Sequence, residues 1–289
     1  MPELPEVETV KRGLQKLIIG RKIVVVNNDN PKSFPNAITD VGQFLINSKV
    51  IDVRRRAKVL LIDLSTGYTL VIHLKMTGQL VVVDQRERFA AGHPNDSLVG
   101  NLPDKSTRVT LDFDDKSHLY FNDQRKFGWV RLMPTAEVPN IDFMKKVGPE
   151  PLEADFTVDE FISRFSKRPR TNIKAAILDQ SVIAGVGNIY ADESLWGAKI
   201  HPKRLVGSLT KSEFKKLYTE IRAVMNLSIE KGGSTNRNYV NAEGKKGSYM
   251  DFARVFRREG QACSRCGTEI IKIRVAGRGT HICPYCQQI

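Results

Sequence analysis

Two stretches of this chain combine residue types that could do chemistry. At its start, Met1-Pro2-Glu3-Leu4-Pro5-Glu6-Val7-Glu8 would place a secondary amine at the N-terminus once Met1 is removed. An α-amino group titrates about two units below a lysine, so at neutral pH it is the readier nucleophile. Attack by a secondary amine on an aldehyde-level carbon gives a permanently cationic iminium, an electron sink. Glu3 and Glu6 stand beside it as carboxylates able to move protons. The same residues also suit a plain helix start, with Pro5 at the first helical position and Glu6 and Glu8 in the first turn, where the helix dipole favours anions. At the far end, Cys263-x2-Cys266-x16-Cys283-x2-Cys286 has the spacing of a four-thiolate zinc site. Four thiolates leave no open position for water, so the one Zn2+ expected here is structural.

The elements that must position these groups follow from the periodicity. Val7, Val10, Leu14, Leu17 and Ile18 fall on one helical face and Gly20 ends the run. Strand-like stretches follow at 22–26, 50–54, 59–64, 69–74, 80–83, 108–113, 118–121 and 129–132, with turns such as Ser65-Thr66-Gly67 between them. Many short strands punctuated this way predict a β-sandwich or barrel. Residues 134–153 hold four prolines and no sustained period, as a linker would. Helical patterns then occupy the stretch from Val158 to about Lys231, interrupted by Ala184-Gly185-Val186-Gly187-Asn188, a tight glycine turn opening a helix. Residues 232–247 are polar and glycine-rich, as a loop would be. Between the cysteine pairs, Ile271, Ile273 and Val275 alternate as a strand, Gly277-Arg278-Gly279 turns, and residues 280–282 return, so the hairpin tip would present an arginine.

Composition narrows the partner. Lys+Arg 45 against Asp+Glu 32 gives a net charge of +13 over 289 residues, an excess suited to a polyanion. No apolar run approaches the ~20 residues of a membrane span, and no secretory signal pattern precedes the first helix. All four cysteines lie in the last 27 residues, which favours metal ligation in a reducing compartment over scattered disulfides.

With these motifs in hand, the chain resembles bacterial formamidopyrimidine-DNA glycosylase, an 8-oxoguanine DNA glycosylase and abasic-site lyase. The resemblance is carried in order by MPELPEVETV, Arg56-Ala57-Lys58, Asp123-Gln124-Arg125-Lys126-Phe127-Gly128, Gly148-Pro149-Glu150-Pro151-Leu152, Gly187-Asn188-Ile189-Tyr190-Ala191-Asp192-Glu193 and the cysteine hairpin. It implies a two-lobed α+β enzyme: an N-terminal β-sandwich with flanking helices, a C-terminal helix-two-turn-helix domain, and a four-cysteine zinc-finger β-hairpin. The implied boundaries are 1–133 for the catalytic sandwich, 134–153 for a linker, 154–235 for the helix-two-turn-helix domain, 236–254 for a lesion-capping loop region and 255–289 for the zinc finger.

The resemblance also assigns roles. Pro2 would attack C1′ of an oxidised purine nucleoside, Glu3 would protonate the sugar ring oxygen and shuttle protons, and Lys58 would be a second proton donor. Arg278 would hold phosphates flanking the lesion during the β,δ-elimination that cuts the strand. Because the target atom is hidden in the duplex, the nucleotide must be flipped out, and Met76, Arg125 and Phe127 match the residues that fill the hole. Lys126, Arg170, Lys174 and Asn188 would grip the backbone. Ser106 stands where relatives often place a phosphate-contacting histidine, Phe256-Arg257 replaces a Tyr-Gly pair, and Ala262 and Ser264 replace prolines beside the first cysteine. The implied partner is double-stranded DNA carrying oxidised purines or abasic sites, bound by a monomer in the bacterial cytoplasm beside the nucleoid. Two alternatives stand: an endonuclease VIII-like specificity for oxidised pyrimidines, disfavoured because that group typically has glycine where this chain has Leu4, and a non-catalytic zinc-dependent DNA-binding protein, which would leave Pro2, Glu3 and Lys58 without a common purpose.

Overall fold

A computed structural model of the chain describes residues 2–85, 87–93, 95–234 and 249–289. They fall into two compact units, one running to Lys145 and including residues 231–234, the other covering Lys146–Glu230 and Tyr249–Ile289.

The first unit is a β-sandwich. It contains α1 (Leu4–Leu17), β1 (Ile23–Asn28), α2 (Ile38–Asp40), β2 (Val50–Arg56), β3 (Val59–Leu64), β4 (Tyr68–His73), β5 (Gly78–Val83), β6 (Arg88–Gly92), β7 (Thr107–Phe113), β8 (His118–Asp123), β9 (Trp129–Pro134) and α3 (Asp142–Lys146), whose last residue opens the second unit. One sheet has the order β1-β7-β8-β5-β6 and the other β2-β3-β4-β9, all antiparallel neighbours. The strands alternate between a face in the shared core and a face outside it, as period-two patterning requires. In β3 every residue is buried: Leu60, Ile62 and Leu64 join the main core, while Val59 and Leu61 pack against Val71 and Val138 on the other side.

Helix α1 is sealed to both sheets by one stripe. Val7, Val10, Leu14 and Ile18 all lie in the main core with residues of β2 to β8, at the spacing that marks an amphipathic helix. Gly13 lets this helix approach closely, since a Cβ there would overlap the ring of Phe89 at 2.0 Å. The helix begins one residue earlier than the proline suggests. Glu3 is its N-cap, Leu4 its first residue, and Glu3 and Glu6 close a capping box. Strand β6 is not anticipated by the sequence, because Arg-Phe-Ala-Ala-Gly has little strand propensity of its own. Its pairing with β5 creates it.

The second unit contains α4 (Val158–Ser166), α5 (Ile173–Leu178), α6 (Asn188–Gly197), α7 (Lys211–Glu230), β10 (Ile271–Val275) and β11 (Arg278–Ile282). The glycine turn behaves as expected: Gly185 has φ +78°, Gly187 caps α6, and Asn188 opens it. Phe161, Phe165 and Phe214 pack with tilted and edge-on rings where α4 meets α7. The hairpin β10–β11 turns on Ala276 and Gly277, whose φ values of +50° and +73° suit a tight two-residue turn. Arg278 therefore starts the returning strand opposite Val275, beside the turn and not at its tip. The lesion-capping region expected at 236–254 lies outside the described residues up to 248; Tyr249–Phe252 forms a short 3-10 turn.

Candidate active site and nucleic-acid interface

Pro2 and Glu3 are buried at the start of α1, and the geometry around them is set by carboxylates. Glu6 Oε2 accepts from the Glu3 N–H at 2.7 Å, and Glu6 Oε1 accepts from the Ser234 N–H at 2.8 Å. Gly233 lies against the Glu6 side chain with φ +91°, a conformation and a clearance that favour glycine. Glu8, one turn further on, accepts from Arg55 of β2 at 2.9 Å and from Lys11 and Arg12 at 3.0 Å each. Burial alone would raise its pKa, but the facing Arg55 and the two helix cations hold it down to about 2. Arg55 also donates to the Ala57 carbonyl at 3.0 Å. Ala57, at φ +52°, and Lys58 form the turn between β2 and β3. One chain of contacts thus runs from Glu8 of α1 through Arg55 to the turn that carries Lys58.

Lys58 is buried, and His73 of β4 lies in its field. Burial, with Lys75 and Lys58 nearby, pushes the His73 imidazole down to about 4. His73 is therefore a neutral ring at neutral pH, accepting from the Lys75 N–H at 2.9 Å. Neither His73 nor the Glu8–Arg55 pair is singled out by the sequence. Strand register is the available signal, since Val59 pairs with His73 across β3 and β4.

The expected hole-filling residues stand on two loops of the same unit that are stapled together. Asp123, wholly buried, accepts from the Thr77 hydroxyl, from the Gly128 N–H at 2.6 Å and from the Arg125 N–H at 3.3 Å, while Thr77 Oγ1 also accepts from the Arg125 N–H at 3.1 Å. Around this polar knot Met76 is 37% and Phe127 54% exposed, and the Arg125 guanidinium sits 4.8 Å from the centre of the Phe127 ring. A methionine and a phenylalanine of such exposure are unusual for side chains that would ordinarily be core. Lys126 is exposed with φ +57°.

Three expected backbone-gripping side chains are committed elsewhere. Ser106 is buried, bonded to Asp104 Oδ1 at 2.7 Å and to Ser97 at 2.9 Å. Its short hydroxyl shapes the Asp104 loop and does not reach out as a histidine would. Lys174 is 0% exposed: its ammonium meets Asp192 at 2.6 Å, Thr280 at 2.7 Å and the Gly279 carbonyl at 3.4 Å. A buried ammonium needs a paired carboxylate, and α6 supplies it. Asn188 donates its side-chain amide to the same Gly279 carbonyl at 3.0 Å. Lys174 and Asn188 thus anchor the hairpin next to Arg278, which is itself exposed, as is Arg170. Glu193 fixes the approach to the finger by accepting from the N–H groups of Arg254, Val255 and Phe256 at 2.8–2.9 Å. Asp192 performs the corresponding task for the hairpin, accepting from the His281 N–H at 2.9 Å.

The four cysteines meet. Their sulfurs all lie within 4.8 Å of one another, with Cys266 at 3.4 Å from Cys283 and 3.5 Å from Cys286. A tetrahedron with metal–sulfur bonds of about 2.3 Å has edges of about 3.8 Å, so the set fits one zinc ion. The thiols also behave as a cluster that cannot ionise freely. Hydrogen bonds from Thr268 draw Cys266 down to about 6, whereas burial and the neighbouring sulfurs drive Cys286 up to about 12. A dication would relieve that conflict. The site is a structural zinc centre, and it holds the finger.

The comparisons with known proteins agree with this architecture. Residues 1–130 match the formamidopyrimidine-DNA glycosylase N-terminal domain, 147–240 the formamidopyrimidine-DNA glycosylase H2TH domain, and 260–289 a zinc finger found in FPG and IleRS. The formamidopyrimidine-DNA glycosylase of Pelotomaculum thermopropionicum is 41% identical over the whole of both chains, and that of Herpetosiphon aurantiacus 43% over 99% of this chain and all of its own. Among solved structures, the Lactococcus lactis Fpg in complex with DNA containing an abasic site matches with a TM-score of 0.87 at 36% identity, covering 99% of this chain and 100% of that one. A point mutant of that enzyme, bound to DNA containing Fapy-dG, matches with the same score over all of both chains. Sandwich, helical domain and four-cysteine finger therefore match in order and in full, and the chain belongs to the formamidopyrimidine-DNA glycosylase family.

Proposed function

We propose that this chain excises oxidised purines, formamidopyrimidines and 8-oxoguanine among them, from double-stranded DNA and then cuts the strand at the abasic site. Identity above 40% across whole chains carries the substrate class. The tie from Glu8, on the helix that Pro2 and Glu3 precede, through Arg55 to the Lys58 turn supports the residue roles. In this reading the Pro2 nitrogen bonds to C1′ as the C1′–base bond breaks and the base leaves with a proton. Glu3 protonates the ring oxygen and the sugar opens to an iminium. Loss of a C2′ proton then expels the 3′ phosphate, and a second elimination expels the 5′ phosphate. Lys58 supplies a proton near the departing groups. The neutral, buried His73 beside it adds no second positive charge there.

The interface reading is selective. Met76, Arg125 and Phe127 enter the space left by the flipped nucleotide, and apolar side chains there offset part of the unstacking cost. Lys126, Arg170 and Arg278 meet phosphates, while Lys174, Asn188 and Ser106 act by holding loops in place. The domain boundaries given above, a monomeric state on DNA, and a cytoplasmic location beside the nucleoid belong to the same reading. Among the described residues no helix is long and apolar enough to cross a membrane.

Borohydride trapping tests the proposal. Reduction in the presence of a duplex containing 8-oxoguanine should leave protein and DNA covalently joined in one-to-one complexes, through the Pro2 nitrogen by peptide mapping. A preparation retaining Met1 should neither nick nor trap. A protein that binds the duplex but gives no adduct is the non-catalytic binder; one that traps only on oxidised pyrimidines has the endonuclease VIII-like specificity.

A further inference from the structure

The last turn of α6 forms one wall of the cysteine cluster. Trp196 is 5% exposed and packs with Cys263, Cys283, Val255 and Ile270. Two guanidiniums lie over its ring, Arg265 at 3.9 Å from the centroid and Arg254 at 5.3 Å. Arg265, which stands between Cys263 and Cys266 in the chain, also donates to the carbonyls of Trp196 at 3.0 Å and Gly197 at 3.4 Å. Arg254 is anchored in turn by Glu220 at 3.1 Å. The indole is thus held in one orientation.

Its N–H is the unexplained group. Trp196 Nε1 is fully buried and closes no hydrogen bond among the described residues. A buried indole N–H ordinarily finds a partner, because leaving it unpaired forfeits its hydration without return. The indole packs against Cys263, whose sulfur is the acceptor its N–H approaches.

We propose that Trp196 is a donor to the metal-bound sulfur of Cys263, and so the residue through which α6 tunes the zinc site. The inference rests on the four thiolates holding zinc. Four thiolates around a dication leave two net negative charges, and a donor aimed at one sulfur, with Arg254 and Arg265 alongside, stabilises that charge in a buried place. Donors of this kind typically contribute 10–100-fold to metal affinity. The consequence is specific to this pairing: the helix whose first residue, Asn188, anchors the hairpin also reaches the metal with its penultimate one.

The test uses the full chain. Zinc content of the parent comes first; a parent without zinc would remove the metal reading and overturn the proposal with it. With one zinc present, Trp196→Phe keeps an aromatic ring and removes only the donor, and zinc competition against a chromogenic chelator should show affinity about tenfold weaker or more. Cobalt reconstitution should shift the sulfur-to-cobalt charge-transfer band in the same variant. If Trp196→Phe fails to fold, the unmutated protein still decides the matter. After loading with 113Cd and 15N-tryptophan labelling, the Trp196 indole proton should show scalar coupling to cadmium, and that of Trp129 should not. Parental zinc affinity with an unshifted cobalt band, or an uncoupled Trp196 indole proton, overturns the proposal.

Discussion

The two units keep their polar groups in place by different means. In the sandwich, a continuous apolar core shared by two sheets and α1 supplies the rigidity, and the ion pairs sit at its edge. The Glu8–Arg55 pair, itself buried, flanks that core and is not what holds the sheets together. In the second unit the finger is too small to bury much apolar surface of its own. Its hairpin is held by a metal-binding cluster on one side and by a wholly buried Lys174–Asp192 pair on the other. The difference teaches where a single change is dangerous. Deleting an ion-pair partner beside the apolar core leaves that core to hold the unit, whereas deleting a partner among the hairpin's anchors removes one of the two things that hold it.

Substitutions should separate the two designs, and the largest effect is expected at the metal. Apparent zinc binding energies in small fingers are ~10–16 kcal/mol and are largely folding energy. Cys283→Ser should therefore lose the zinc ion, disorder the hairpin and weaken binding of a damaged duplex, while the sandwich stays folded. Metal analysis, circular dichroism and a gel-shift titration check this, and a zinc-free variant that binds DNA like the parent would remove the finger from the interface.

Next comes the buried pair. Lys174→Met leaves Asp192 buried without its partner, an error of ~3–5 kcal/mol, whereas replacing both residues by apolar ones of similar size should recover most of it. Amide exchange of residues 271–282 reads the effect directly. If Lys174 grips DNA instead, its single variant will show parental exchange and a reduced salt dependence of binding.

A smaller effect is expected at the stapled loops of the sandwich. An arginine fork can donate twice to the acceptors of an orphaned cytosine, while adenine opposes it with an amino donor. Arg125→Ala should lose ~1–3 kcal/mol of cytosine-over-adenine discrimination, about fivefold to more than a hundredfold in kcat/KM. Lys126→Ala should weaken both substrates alike. An unchanged ratio in Arg125→Ala would remove that residue from recognition.

Acid should produce the smallest effects. His73 has a folded pKa below its unfolded value, so the unfolded state binds more protons and stability falls as pH drops. That contribution is complete above about pH 6.5 and is lost towards pH 4. Glu8 acts in the same direction in a lower window, complete above its ordinary value of 4.5 and lost as pH approaches 2. Urea midpoints of the sandwich, followed by Trp129 fluorescence, should show the first slope vanish in His73→Gln and the second in Glu8→Gln.

What the sequence by itself determined is local or periodic. Strand β3 occupies the apolar run that the sequence marks at 59–64, and the cysteine spacing alone foretells four converging sulfurs, because each pair sits on a short turn. Pro2 and Glu3 at a helix start were likewise legible, since capping is decided within a few residues. Tertiary structure decided the rest. Met76 and Phe127 are exposed because Asp123 ties their loops outward, a contact that spans 46 residues from Thr77. Lys174 is buried because Asp192 and Thr280 reach it from 18 and 106 residues away. Strand β6 exists because β5 offers it an edge. Burial and partnership are properties of distant pairs, and neither residue of such a pair carries, in its own neighbourhood, the signal of the other.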